Sequence, residues 1–140
     1  MSHLQVLKDY LLNINGSTEI ELQGGGSMTV TPVICDGNVL GVNVNNLGNY
    51  PFLPIDVFVA TISLLSLSDN NQAKKGKANG ANIGLGHELL PLNSVEGHVA
   101  KVVYGKNIDD SVFRRIVPIS RILGSAEVCK NGRGFLRLLP

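Results

Sequence analysis

A chain of 140 residues and 14.9 kDa fits one domain with an ordinary hydrophobic core. With 44% hydrophobic and 16% charged residues it is too apolar and too weakly charged for a disordered chain. The formal net charge of +1 hides a division: residues 1–70 carry one basic side chain, Lys8, against six acidic ones (net −5), and residues 71–140 carry eleven basic against five acidic (net +6).

That asymmetry points to an anionic partner for the second half, nucleic acid being the commonest. The alternative is a pair of halves that neutralise each other. No stretch approaches the roughly 18 uninterrupted apolar residues of a membrane span, and MSHLQVLKDYLL lacks the basic start and apolar run of a signal peptide. A cytoplasmic protein without membrane contact is therefore expected. Cys35 and Cys129 are far apart and have no metal-ligand spacing, so both are expected as reduced core thiols.

Leu4, Leu7, Leu11 and Ile14 recur at helical spacing, with Ser2 placed to cap a first helix and Gly16 to stop it. Residues 18–44 read as two or three antiparallel strands. Asp36-Gly37, between VTPVIC and NVLGVNV, is a two-residue hairpin signal because a type I′ turn needs positive φ at both central positions. Pro54 fits a helical first turn, and the almost wholly apolar run to Leu67 predicts a buried central helix. Residues 69–93 break this pattern with Asn, Gly and the cluster Lys74, Lys75 and Lys77, and read as a long mobile surface loop.

Ser94 can cap a helix from Val95 to Tyr104 that Gly105 ends, although its valines also suit a strand. From Ser111 onward, Val112, Ile116, Ile119, Leu123 and Ala126 form one stripe, while Arg114, Arg121 and Ser125 lie opposite and Arg115 lies to one flank. Pro118 must either kink that helix or begin a second one. A strand at 134–139 closes the chain. The expected class is α+β in a single domain: an N-terminal helix, a small antiparallel sheet with a hairpin, a buried helix, and a C-terminal helical pair with a closing strand.

The pair of helices, the short turn at Gly105 and the trailing KNGRGFLRLL resemble a helix-turn-helix with a winged-helix-like strand over residues 94–139. The resemblance implies DNA binding, with Ala100 at the helix crossing and Ser111, Arg114 and Arg115 opening a recognition helix. It makes Asn131 to Gly134 the wing tip and sets Arg133 near a phosphate. Four residues separate Ala100 from Gly105 where the family has three, and Pro118 is unusual in a recognition helix.

Chemistry of other kinds has little support in the residues. There is no HExxH, GxSxG or Cys-His signature, and Glu96 and His98, two apart on a helix, point in different directions. His87-Glu88 and His98 leave a small nuclease or hydrolase as a third reading. KKGKANGANIGLG lacks the GxxxxGK[ST] spacing of a phosphate loop. No catalytic residue, metal or cofactor is assigned. The leading expectation is a non-enzymatic DNA-binding module using Arg114, Arg115, Arg121, Ser111, Arg133, Lys74, Lys75 and Lys77. The rival is a protein-interaction module, a homodimer or a subunit that docks an acidic partner.

Overall fold

The computed structural model describes residues 1–78 and 82–140. Its elements run α1 (His3–Leu12), β1 (Thr18–Glu21), β2 (Ser27–Cys35), β3 (Asn38–Val44), β4 (Phe52–Pro54), α2 (Ile55–Ser66), a 3-10 turn (Asp69–Asn71), β5 (Gln72–Lys74), α3 (Val95–Val102), α4 (Ile116–Ser125), β6 (Cys129–Asn131) and β7 (Phe135–Leu138). The class is α+β, with helices packed on two small antiparallel sheets. One sheet has the order β1-β2-β3-β4 and the other β5-β7-β6.

α1 forms where its capping predicts. The Gln5 amide donates to Ser2 Oγ at 3.1 Å, and Leu7 and Leu11 turn inward, fully buried. β2 and β3 pair from Val30↔Val44 to Cys35↔Asn38, with a bulge between Val33 and Ile34. The turn between them is the expected one, with φ of +51° at Asp36 and +78° at Gly37. Cys35, the last residue of β2, is exposed and not in the core, as are its neighbours Ile34, Asp36, Gly37 and Asn38 at the hairpin end; Cys129 is buried.

α2 lies at the centre. Val57, Phe58, Thr61 and Leu65 are buried, and the helix touches α1, α3, β3, β4, β5 and β7. Thr61 is tolerated there because its hydroxyl donates to the Val57 carbonyl at 2.8 Å. Pro54 ends β4 and stands as the N-cap, one position before the helical first turn.

Residues 69–93 differ from the expected loop. Their first part forms the 3-10 turn and β5, which pairs with β7 (Gln72↔Arg137, Lys74↔Phe135). Ala78, Leu85 and Leu90 then join Ala100 and Val112 in a small satellite core. Three-residue strands and single buried leucines leave no periodic trace, which is why composition alone favours a loop. The part of that segment at 79–81 lies outside the described residues.

The C-terminal helix also starts later than its apolar stripe indicates. α4 begins at Ile116 with Arg115 as N-cap, so Ser111, Arg114 and Arg115 precede it in an irregular, largely extended segment. The physical reason is Pro118: within a longer helix its ring would collide with the Arg114 carbonyl, whereas in a first turn it is accommodated. The stripe itself is placed correctly, since Val112, Ile116, Ile119, Leu123 and Ala126 are all buried. Ala100 packs against the satellite core.

Two stability changes follow from these turns. A Cβ at Gly37 would meet nothing within 4 Å, so Gly37→Val should cost only its strained positive φ, of order 1–3 kcal/mol, read as a lowered denaturation midpoint. Pro118→Ala should lower stability by about 1 kcal/mol with unchanged helix content by circular dichroism, because Pro118 preorganises the first turn of a separate helix.

A candidate anion-binding cleft

A cleft of 710 Å³ opens between the two sheets. Leu22, Gln23 and Gly24, which follow β1, line one side. The β6–β7 hairpin tip, Asn131 to Gly134, lines the other, and Ile116, Val117, Ser120 and Arg121 of α4 form the floor. Lys75, Arg114, Arg121 and Arg133 converge here from four separate stretches of chain, and no carboxylate is among the lining residues. A second hollow of 370 Å³ shares Lys75, Arg114, Ile116 and Gly134 with the first and adds Lys74 and Lys77, with Glu88 as its acidic member.

Lys75 is the most constrained of these cations. Its amide donates to the Gly134 carbonyl at 2.9 Å, and its own carbonyl accepts from the Glu96 amide at 3.0 Å. Its ammonium donates to Asn131 Oδ1 at 2.5 Å. Burial pushes the Lys75 pKa down, and the Arg121 guanidinium pushes it the same way. Both effects penalise the charged amine, and an anion seated between Lys75 and Arg121 would relieve the second. The next residue, Gly76, has φ +84°, and a Cβ there would lie 2.6 Å from Ser94 Oγ, so the chain can turn out of β5 against α3 only with glycine.

Six of the eight residues expected from sequence therefore meet in adjoining hollows: Lys74, Lys75, Lys77, Arg114, Arg121 and Arg133. Arg115 and Ser111 do not. Arg115 turns its guanidinium onto the Tyr104 ring, 3.7 Å from the centroid, and faces Phe113 at 4.9 Å. It also donates to the Phe113 carbonyl at 3.2 Å. Ser111 sits in a short bridge with Gly84. Ser120 is a cleft residue that no sequence signal marked, and Asn131, expected only as part of the wing tip, takes the Lys75 ammonium as its partner from far along the chain.

Glu96 has a structural part here. It is 2% exposed, in the first turn of α3, and both its carboxylate oxygens accept from the Arg115 amide, at 3.0 and 3.1 Å. It thereby ties α3 to the segment that carries Arg114. Burial pushes its pKa up to about 7, against the opposing pull of the Arg115 amide and of the Arg115 and Arg114 charges. His98, half-buried on the same helix, is shifted down by burial. His87 Nδ1 accepts from the Leu89 amide at 3.0 Å within its own turn. Among the described residues no group of three His, Cys, Asp or Glu side chains is arranged to hold a metal ion.

The raised Glu96 pKa means that the folded state holds this proton more tightly than the unfolded chain. Its contribution to stability is complete below about pH 4.5 and is lost as the pH rises to about 7. Urea denaturation across that window should show a decline of up to about 3 kcal/mol that Glu96→Gln abolishes. Compared with models of known families, with curated proteins and with solved structures, the chain matches none, so the cleft's own chemistry carries the functional argument.

Proposed function

We propose that this chain is a non-enzymatic nucleic-acid-binding module, with DNA as the reference ligand, whose phosphates lie in the cleft between the two sheets. The observation that carries this reading is the convergence of Lys75, Arg114, Arg121 and Arg133 on one hollow without a lining carboxylate, continued by Lys74 and Lys77 in the next. Surface cations normally alternate with carboxylates or spread apart. Cations gathered from four stretches of chain keep their mutual repulsion unless an anion occupies the space between them. A run of phosphates supplies that charge at several points along a groove, and arginine and lysine side chains bind it as forks and as point charges respectively.

On this reading the β6–β7 hairpin plays the part of the wing implied by the winged-helix resemblance, with Arg133 at its tip. Arg114 acts from the extended segment before α4 and Arg121 from its second turn. Arg115 supports the segment through its stacking on Tyr104 and contributes charge only at longer range.

Binding should weaken steeply with salt, log K falling by about 0.9 per phosphate neutralised on duplex DNA and about 0.7 on a single strand. Replacing both Arg114 and Arg121 with alanine should reduce that slope by up to roughly 2 while leaving the melting temperature within a few degrees, since neither side chain is in the core. Fluorescence anisotropy with labelled duplex and single-stranded DNA at two salt concentrations tests this. A folded protein that binds neither form at low salt overturns the proposal and leaves an acidic protein partner as the ligand of the cleft.

A further inference from the structure

We propose that the cleft recognises the end of a nucleic-acid strand: a terminal phosphate monoester sits among Lys75, Arg114, Arg121 and Arg133, and the phosphodiesters that follow it leave past Lys74 and Lys77. The inference rests on the nucleic-acid reading of the cleft and names the part of the ligand that occupies it.

The cations are not spread evenly. The larger hollow, of 710 Å³, gathers four of them with no carboxylate, whereas the charged residues that the second hollow adds, Lys74, Lys77 and Glu88, carry a net +1. An internal phosphodiester bears one negative charge, so a run of them is met by cations spaced along its length. A terminal monoester bears about −1.5 to −2 near neutral pH and offers three acceptor oxygens, so it can answer several cations at one place. Lys75 and Arg121 already act on each other across the hollow, and a doubly charged group between them offsets that repulsion better than a singly charged one. The volume lies within the range of about 300–1,000 Å³ typical of small-ligand sites, which gives room for a terminal nucleotide as well as its phosphate.

Neutral groups of the same hollow add donors. Asn131 gives its Oδ1 to the Lys75 ammonium, which leaves the Nδ2 group of that amide as a donor. Ile116 and Val117 line the hollow as the first two residues of α4, where main-chain amides have no partner within the helix. No side chain caps that turn and it holds no acidic residue, so its partial positive charge adds to that of the cations. Gly24, on the side formed by the β1–β2 turn, is a further mark of a ligand. A Cβ there would meet nothing within 4 Å, and its φ, unlike those of Gly25 and Gly26, lies outside the left-handed region. Neither packing nor backbone conformation calls for glycine at that position, whereas close approach of a ligand to the main chain does. The two hollows share Lys75, Arg114, Ile116 and Gly134, so a strand whose end fills the first continues into the second without a break.

The test is calorimetric titration of the full chain, at one low salt concentration and near neutral pH, with unlabelled oligothymidylates of about ten nucleotides. One strand carries a phosphate monoester at its 5′ end, one carries it at its 3′ end, and a third ends in hydroxyls but is two nucleotides longer, so that its total charge matches. The strand phosphorylated at the end that the cleft takes is expected to bind about tenfold more tightly than the charge-matched strand. Arg121→Gln, and separately Arg133→Gln at the exposed hairpin tip, should reduce that ratio to less than about twofold in a protein whose melt shows it folded. Lys77→Gln, which lies only in the second hollow, should weaken all three strands alike and keep the ratio. Equal affinity of all three strands for the unmodified protein, or a ratio that survives both arginine changes, overturns recognition of the end while salt-dependent binding in the cleft stands. Absence of binding to any strand or duplex overturns the cleft reading and this inference with it.

Discussion

The pairing of β5 with β7 is the contact on which the cleft depends. Three residues from the middle of the chain, Gln72–Lys74, lie against Phe135–Leu138 at its end. That register sets Lys75 beside Gly134 and within reach of Asn131, and it brings the β6–β7 hairpin over α4. Closing so long a loop costs entropy, which so short a strand pair cannot offset alone. The buried face of α2 supplies the remainder: it packs on β5 and β7 as well as on β3, so the same apolar helix that fills the main core also holds the two ends of the cleft together.

The electrostatics of the site follow from that packing. Lys75 is drawn partly out of water by the elements around it and faces the Arg121 charge, and both circumstances disfavour its ammonium. Nearby, Glu96 is buried with a single backbone donor and is pushed toward its neutral form. The buried carboxylate therefore offers its neighbouring arginines incomplete compensation near neutral pH, and the cleft keeps a positive surplus. Arg115 resolves its own charge differently, by stacking on Tyr104, which explains why adjacent arginines in one segment have separate roles.

Much of the architecture was legible where a local rule was strong. Ser2 and Ser94 cap the helices they precede, Asp36-Gly37 makes its hairpin, and the apolar run after Pro54 becomes the central helix. The short strands β4, β5 and β6 were not legible, because three residues carry no periodicity and their pairing is decided by partners elsewhere. The start of α4 was misplaced for a related reason: the apolar stripe continues through Val112, which is buried in the satellite core without being helical. At the site, the basic residues announced themselves by composition. Their sorting did not, since only the tertiary arrangement separates Arg114 and Arg121, which line the cleft, from Arg115, which a ring has already claimed.

The satellite core is a second and much smaller cluster of buried side chains beside the main one. Lys75, Arg121 and Arg133 stand on elements packed around the main core, whereas the segment leading to Arg114 is held by the small group of Ala78, Leu85, Leu90, Ala100 and Val112 and by the Gly84–Ser111 bridge. With so few buried apolar side chains, this is the part of the fold expected to open below the global unfolding free energy. Amide exchange at Leu85 and Asp109, which pair across this unit, would then run faster than at β2 and β3, and Arg114 would belong to the half of the cleft that breathes.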